Sequence, residues 1–468
     1  MNNFKQSASN NQIFSHLFFN SSLNGFIQKE AVIGNTGSGR QGHIFKGTLV
    51  LDEEAKLCPI CRARMHLHGN AEQRLKHLPF GDKVTEVHFN RVRYKCTNPN
   101  CKYTGMQHVP FKAKGHLITQ ELETYVRDLL AFECYTLKQI GILTGLSRHT
   151  VKDIDLKRLK ELYTVDGKKL IKPERQAKFL AIDEFKLHDG HKYATHIIDL
   201  ETGHILWIAQ GKKKSVVYDF INHVGLDWMD KVVAVACDMN SDFQEAFEEK
   251  CPHLDIVYDY FHIVKNFNEK VVAAIRKDEQ RRLISEGKYK EASALKGSKY
   301  LLTSSASTRA RKDELASRGA IKHKGAKVFN TSTVFCKGDN EKRYQELLEN
   351  NHLFFKIDLI KEALADAYKQ SNWIDMADRI DTVISICESE DNKHLKWFSN
   401  LLINHYDGII CKAEHKITSG KIEGINNKIK TLRRMCYGLP DDEYFFFKLM
   451  DLSRVKYQRG IKSHKILT

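Results

Sequence analysis

Acids stranded in apolar sequence are the first residues to ask chemistry of. Phe179-Leu180-Ala181-Ile182-Asp183-Glu184-Phe185 is an almost unbroken apolar run that reads as a buried central strand. A carboxylate there is costly unless it is paired or binds a cation. Neighbouring strand side chains face opposite sides, so only one of Asp183 and Glu184 can serve a given site. Asp183 is taken as that acid, with Glu184 supporting it from behind. Val232-Val233-Ala234-Val235-Ala236-Cys237-Asp238 is a second buried strand ending in an acid, at the carboxyl end where open α/β sheets place ligands. Asp255-Ile256-Val257-Tyr258-Asp259 is a third strand of the same kind. Hard carboxylate oxygens suit Mg2+ or Mn2+, and a pair of such ions is suited to breaking and making phosphodiester bonds.

A further acid belongs on a late helix. In Thr418–Lys430, Ile422, Ile425 and Ile429 form a stripe at helical spacing that continues to Leu432, and Glu423 lies beside it. Spacing alone favours a surface glutamate on an amphipathic helix over a site acid. Asn427 continues the face of Glu423, while Lys430, Arg433 and Arg434 are placed to meet phosphates. Gly438 and Pro440 end the helix.

Cysteines supply the second chemistry. Cys58-Pro59-Ile60-Cys61 and Cys96-Thr97-Asn98-Pro99-Asn100-Cys101 are two tight knuckles separated by strand pattern, Lys83 to Tyr94. Two such turns complete a tetrahedron of thiolates around a structural Zn2+ in a ribbon. A module this small needs its metal to fold. His66, His68 and His88 are nearby, but four cysteines already fill the shell. The remaining seven cysteines are scattered, with no secretion signal, so disulfides are not expected.

Next comes a pair of helices around a Gly-Leu-Ser turn. Leu137, Ile140 and Leu143 give the first an apolar face. Gly145 permits the turn and Ser147 caps the second helix, which exposes Arg148, His149 and Lys152 while Val151 packs inward. Such a helix-turn-helix fits a major groove. The Gly34–Arg40 segment superficially resembles a phosphate loop but lacks its Gly-Lys-Ser/Thr ending, and is read as a turn.

These residues need scaffolds, and 468 residues suffice for several domains. The expected division is a loosely ordered leader over 1–50, a zinc ribbon over 51–115 and a helix-turn-helix domain over 116–170. An α/β core over 171–270 follows, then a mainly helical insertion over 271–410. The core's last part, with the Glu-bearing helix and a basic tail, occupies 411–468. Within 178–265 the order strand-strand-strand-helix-strand-helix-strand is that of the ribonuclease H-like fold. The class is therefore multidomain α/β. A surplus of 74 basic over 58 acidic residues, net +16, favours a polyanion partner. No stretch approaches the roughly 20 apolar residues of a membrane span, and Met1 to Asn20 has neither the apolar core nor the cleavage site of a signal peptide, which points to the cytoplasm.

Over about residues 55–455 the chain resembles the DDE transposases of the ISL-three family of bacterial insertion sequences. The likeness is carried by the cysteine ribbon with Arg91-Val92-Arg93-Tyr94-Lys95-Cys96, by Ala181–Phe185, Asp238-Met239-Asn240, Asp259-Tyr260-Phe261-His262-Ile263-Val264-Lys265 and Lys296–Leu302, and most specifically by Ser419–Lys430 with Arg434 and Tyr437-Gly438. The resemblance implies that Asp183, Asp238 and Glu423 are a catalytic triad holding two Mg2+ or Mn2+ ions. It implies cutting and joining of double-stranded DNA at terminal inverted repeats and target sites, by a homodimer or higher oligomer. Asp259 and His262 match a signature near related active sites and are expected to support the acids or position DNA. Residues 303–345, basic and Ser/Thr-rich, do not follow the family pattern. Two rival readings are a non-catalytic DNA-binding regulator on the same scaffold and another ribonuclease H-like nuclease, such as a junction resolvase. The retained acids argue against the first, and a comparison of inverted-repeat with branched DNA separates the second.

Overall fold

A computed structural model describes residues 23–37, 39–50, 53–132, 134–190, 192–239, 241–319, 321–323, 333–335, 338–417, 420–435, 441–454, 458–459 and 466–467. The chain divides into two compact units, one of Met1–Ile171 with Thr431–Leu452 and one of Lys172–Lys430 with Ser453–Thr468.

The first unit is organised by a long hairpin. Strand β3 (Met65–Phe80) pairs antiparallel with β4 (Lys83–Cys96) from Met65↔Cys96 to Phe80↔Lys83, and a short β5 (Thr104–Met106) adds to β4. Two earlier strands, β1 (Phe26–Asn35) and β2 (Gln41–Leu49), complete the order β1-β2-β4-β3, with β2 parallel to β4. The expectation of a loosely ordered leader is thus corrected for 26–49, while residues 1–22 lie outside the described residues. A register shift between Gln28 and Glu30 breaks the alternation that would have marked β1 as a strand. Of the Gly34–Arg40 segment, Gly34 and Asn35 end β1, and the Gly37 N–H donates to the Glu86 carboxylate at 3.0 Å.

Phe26, Phe89 and Phe111 meet edge-on at 5.7–6.3 Å beneath this sheet. A second small core joins α1 (Gln120–Ala131), α2 (Leu137–Thr144) and α3 (Arg148–Tyr163) through Leu122, Val126, Ile140, Val151 and Ile154. Ribbon and helices belong to one unit: the Lys76 ammonium donates to the Gly145 carbonyl at 2.5 Å. Gly145 has φ +71°, and a Cβ there would meet Val84 Cγ1 at 2.4 Å, so both backbone and packing require glycine.

In the second unit, β6 (Phe179–His188), β7 (Lys192–Asp199) and β8 (Ile205–Gln210) form an antiparallel meander. Strands β9 (Ala234–Cys237) and β10 (Asp255–Tyr258) run parallel to β6, giving the order β8-β7-β6-β9-β10. Helices α4 (Lys214–Val224) and α5 (Ser241–Lys250) bury Val217, Phe220, Phe243 and Phe247 in its core. Helix α6 (Tyr260–Asn266) follows β10 and leads through a π-helical turn into α7 (Ala273–Ser285).

Between α7 and the late helix the described residues are mainly helical, with α8 (Ala306–Ser317), α9 (Asn340–Glu349), α10 (His352–Ala367), α11 (Trp373–Glu388) and α12 (Lys393–Asn404) the main members. Ile360, Ile380 and Leu402 of these helices belong to the same apolar cluster as Leu180 and Val235 of the sheet. Part of the basic 303–345 segment is well packed: Arg309, 4% exposed, pairs with Glu341 at 2.7 Å and stacks on Tyr344. Helix α13 (Gly420–Met435) buries the expected Ile422, Ile425 and Ile429 and is followed by α14 (Asp442–Arg454). Gly438 and Pro440, read as the stop of α13, lie outside the described residues. Among the described residues no helix is long and apolar enough to cross a membrane.

Candidate functional site

The four cysteines converge. Cys58 Sγ lies 3.7 Å from Cys101 Sγ and Cys61 Sγ 3.4 Å from Cys96 Sγ, and all four fall within 4.8 Å of one another. A zinc–sulfur bond of about 2.3 Å gives tetrahedral edges of about 3.8 Å, so a Zn2+ fits. The knuckle backbone points N–H groups at the sulfurs: the Asn98 N–H lies 3.4 Å from Cys96 Sγ, and the backbone at Ala63 draws the Cys61 thiol down to about 7, while burial pushes the Cys96 thiol up to about 12. His88 is engaged elsewhere, its Nε2 2.9 Å from Glu86 Oε2.

Helices α2 and α3 form as their caps dictate. Thr136 and Gln139 make a reciprocal capping box, and Ser147 accepts the Thr150 N–H at 3.0 Å. Arg148 and His149 are exposed at the start of α3. Lys152, expected to be exposed beside them, is half-buried and ion-paired with Asp441 at 2.7 Å. Leu143, expected on the inner face of α2, is 47% exposed, and Thr144 is buried instead.

The inner face of α3 carries a closed polar network with α14. The Arg158 guanidinium donates to Asp155 at 2.8 Å and to Asp451 at 2.6 Å. Tyr163 donates to Asp451 and Tyr444 to Asp155, and Lys448 stands 3.3 Å from Asp155. Burial alone would lower Arg158, yet its bonds and the two carboxylate charges hold it above its usual range.

A different set of polar groups gathers on the sheet of the second unit. Asp183 is half-buried on β6. Its Oδ1 accepts the Glu184 N–H at 2.7 Å and its Oδ2 accepts Asn426 Nδ2 at 2.6 Å. Burial pushes the Asp183 carboxyl above its usual range, against the two donors and the charge of His262, and Asp238 adds to the rise. Across the strand pair His196, fully buried, stands opposite Asp183, and burial drops it to about 4 against the pull of the Asp183 backbone. Asp238 follows β9, with Oδ1 accepting the Met239 N–H at 2.7 Å and lying 3.2 Å from His262 Nδ1.

Asp183, Asp238 and His262 thus act on one another. Glu184 pairs in register with Thr195, one step along from Asp183, and Asp259 stands at the start of α6, where its charge acts on Tyr368 and Lys412. Glu423 is exposed on α13 one turn before Asn426. The ligand atoms of Asp183, Asp238 and Glu423 do not all lie within 4.8 Å of one another; among the described residues the sets that do are the four cysteines and Asp255, Glu414 and His415. Asn427, expected to support the site, is exposed, and Asn426 makes the contact instead. Both asparagines are neighbours of Glu423 on a helix surface, at three and four residues, and only the docking of α13 decides between them. Among the described residues no lysine or arginine pairs with Asp183, Asp238 or Glu423, whereas hard oxygen donors are plentiful. Asn426 Oδ1 is itself buried without a partner. This donor chemistry fits a divalent cation.

Comparison with known proteins meets the same residues. Residues 180–449, more than half of the chain, match the DDE model of the ISL3 family, described as a transposase. Residues 54–101 match the zinc-finger of the transposases IS204/IS1001/IS1096/IS1165. The transposase for insertion sequence element IS1001 of Bordetella parapertussis is 26% identical over 397 residues, 84% of this chain and 87% of that protein. The transposase for insertion sequence element IS1557 of Mycobacterium tuberculosis is 22% identical over 270 residues, 55% of this chain and 56% of that protein. With the ribbon and the acid-bearing sheet each matched, the chain belongs to the ISL3 family of DDE transposases of insertion sequences.

Proposed function

We propose that Asp183, Asp238 and Glu423 are the acids with which this transposase holds two divalent cations, Mg2+ or Mn2+, to cut and rejoin DNA. The observation that carries this reading is the Asn426–Asp183 hydrogen bond, 2.6 Å, which docks the helix bearing Glu423 against the strand bearing Asp183. The absence of any lysine or arginine pairing to these acids among the described residues supports it further. When bound, such cations activate the attacking oxygen and stabilise the leaving one. The chain's own part is positional. Glu184 and Met239 N–H groups orient Asp183 and Asp238, and His262 fixes Asp238 from the side. Lys430, Arg433 and Arg434 follow along α13 and meet the phosphates of the strand being cut.

The sheet order β8-β7-β6-β9-β10 supports a ribonuclease H-like fold, with the helical segment inserted before α13. Helices α2 and α3 act as a helix-turn-helix whose Arg148 and His149 enter the major groove of the inverted repeats. The zinc ribbon braces that pair, and Lys152, bound to Asp441, is withdrawn from the contact set. Pairing of two element ends requires at least a homodimer on DNA, working in the bacterial cytoplasm. The test is Glu423→Gln on DNA carrying the element ends. Binding is expected to persist and strand cleavage to vanish; undiminished cleavage rejects the assignment.

A further inference from the structure

We propose that Asn426 is a positioning residue for the cation site, clamping Asp183 and Glu423 into one ligand set. The inference rests on the reading of the acids given above and adds a residue to it. Asp183 offers two carboxylate oxygens, and each already accepts one N–H, from Glu184 at 2.7 Å and from Asn426 Nδ2 at 2.6 Å. Each oxygen keeps one free lone pair, so the two donors decide which directions remain for a cation. The Asn426 amide has no freedom to reverse: turning it would set its carbonyl oxygen against Asp183 Oδ2. The orientation leaves Oδ1 buried and without a hydrogen-bond partner, although a buried carbonyl ordinarily has one. A hydrated cation held by Asp183 would offer that oxygen the donor it lacks.

Asn426 also lies three residues after Glu423, on the same side of α13. One short bond therefore sets both the rotamer of the first acid and the distance of approach of the third. Glu423 is exposed and makes no bond of its own to Asp183, so Asn426 is the contact through which its helix reaches that acid.

The experiment titrates Mn2+ alone into the full-length, zinc-loaded protein and reads free Mn2+ by electron paramagnetic resonance. Asn426→Ala is expected to weaken Mn2+ binding by about 10- to 100-fold, as loss of a group orienting a metal ligand does, with zinc content and far-ultraviolet dichroism unchanged. Cleavage by the variant recovers at raised Mn2+, which a merely structural defect would not allow. Should Asn426→Ala not fold, the isosteric Asn426→Asp decides. It places a carboxylate against Asp183, so Mn2+ raises its melting temperature more than that of the wild type. Equal Mn2+ affinity in Asn426→Ala and wild type, or an equal Mn2+-induced rise in Asn426→Asp, overturns the proposal. Asp183→Asn separates the two claims: if it keeps full Mn2+ affinity the acid site itself is refuted, and if it alone loses affinity only the role of Asn426 falls.

Discussion

Two groups of carboxylates in this molecule are treated in opposite ways. In the first unit Asp155, fully buried, and Asp451 are surrounded by Arg158, Lys448, Tyr163 and Tyr444, so the chain neutralises its own acids. In the second, Asp183 and Asp238 meet backbone N–H groups, an amide and a histidine, and no lysine or arginine among the described residues. Desolvation is a cost in both places. Where an arginine balances it, the result is a fixed joint between α3 and α14. Where only backbone N–H groups, an amide and a histidine meet it, and no lysine or arginine among the described residues does, the acids suit the cations proposed above.

The contrast can be broken by substitution. Asp183→Ala or Asp238→Ala is expected to reduce strand cleavage by at least about 10³-fold, since several kcal/mol of charge stabilisation goes with the cations. The folded fraction should not fall, and gel assays on end-containing DNA together with circular dichroism would show both. Arg158→Ala acts the other way round, leaving two buried acids uncompensated at a cost of about 3–5 kcal/mol to the first unit, read by urea unfolding. Asp451→Asn keeps the shape and removes one charge, so about 1–3 kcal/mol is expected.

The smallest effect has the most informative sign. Because burial holds the Asp183 carboxyl above its unfolded value, the folded protein retains that proton longer than the unfolded chain. Without divalent cations, stability therefore falls as pH rises from the ordinary carboxylate range through the raised folded value, and the loss persists at neutral pH. Asp183→Asn should raise the melting temperature of the cation-free protein at pH 7, and added Mg2+ should narrow the difference by stabilising only the wild type. An unchanged or lower melting temperature would mean that Asp183 is already compensated.

How far the sequence speaks depends on how local each feature is. The zinc cluster was legible because each knuckle is a turn of a few residues, Cys58 to Cys61 and Cys96 to Cys101. The strand bearing Asp183 and the strand leading to Asp238 announce themselves by apolar runs, and the helix of Glu423 by its isoleucine stripe. Strands β1 and β2 do not, since Gly47 packs against Phe26 and a bulge interrupts the alternation. Nothing local links Arg158 to Asp451 or Lys152 to Asp441, hundreds of residues away in sequence, so sequence alone leaves residues 442–454 with the acid-bearing core and Lys152 on the DNA surface. Asn426 and Asn427 differ by 100° of helix phase, a choice that only packing makes.

If the three acids, and not another cluster, take the cations, metal-soaked crystals will show it. Crystals of the full-length protein soaked in Mn2+ and measured at the manganese absorption edge would locate them. Anomalous peaks bounded by Asp183, Asp238 and Glu423 are expected; peaks confined to the cluster of Asp255, Glu414 and His415, with none at the three acids, would rule the acid site out.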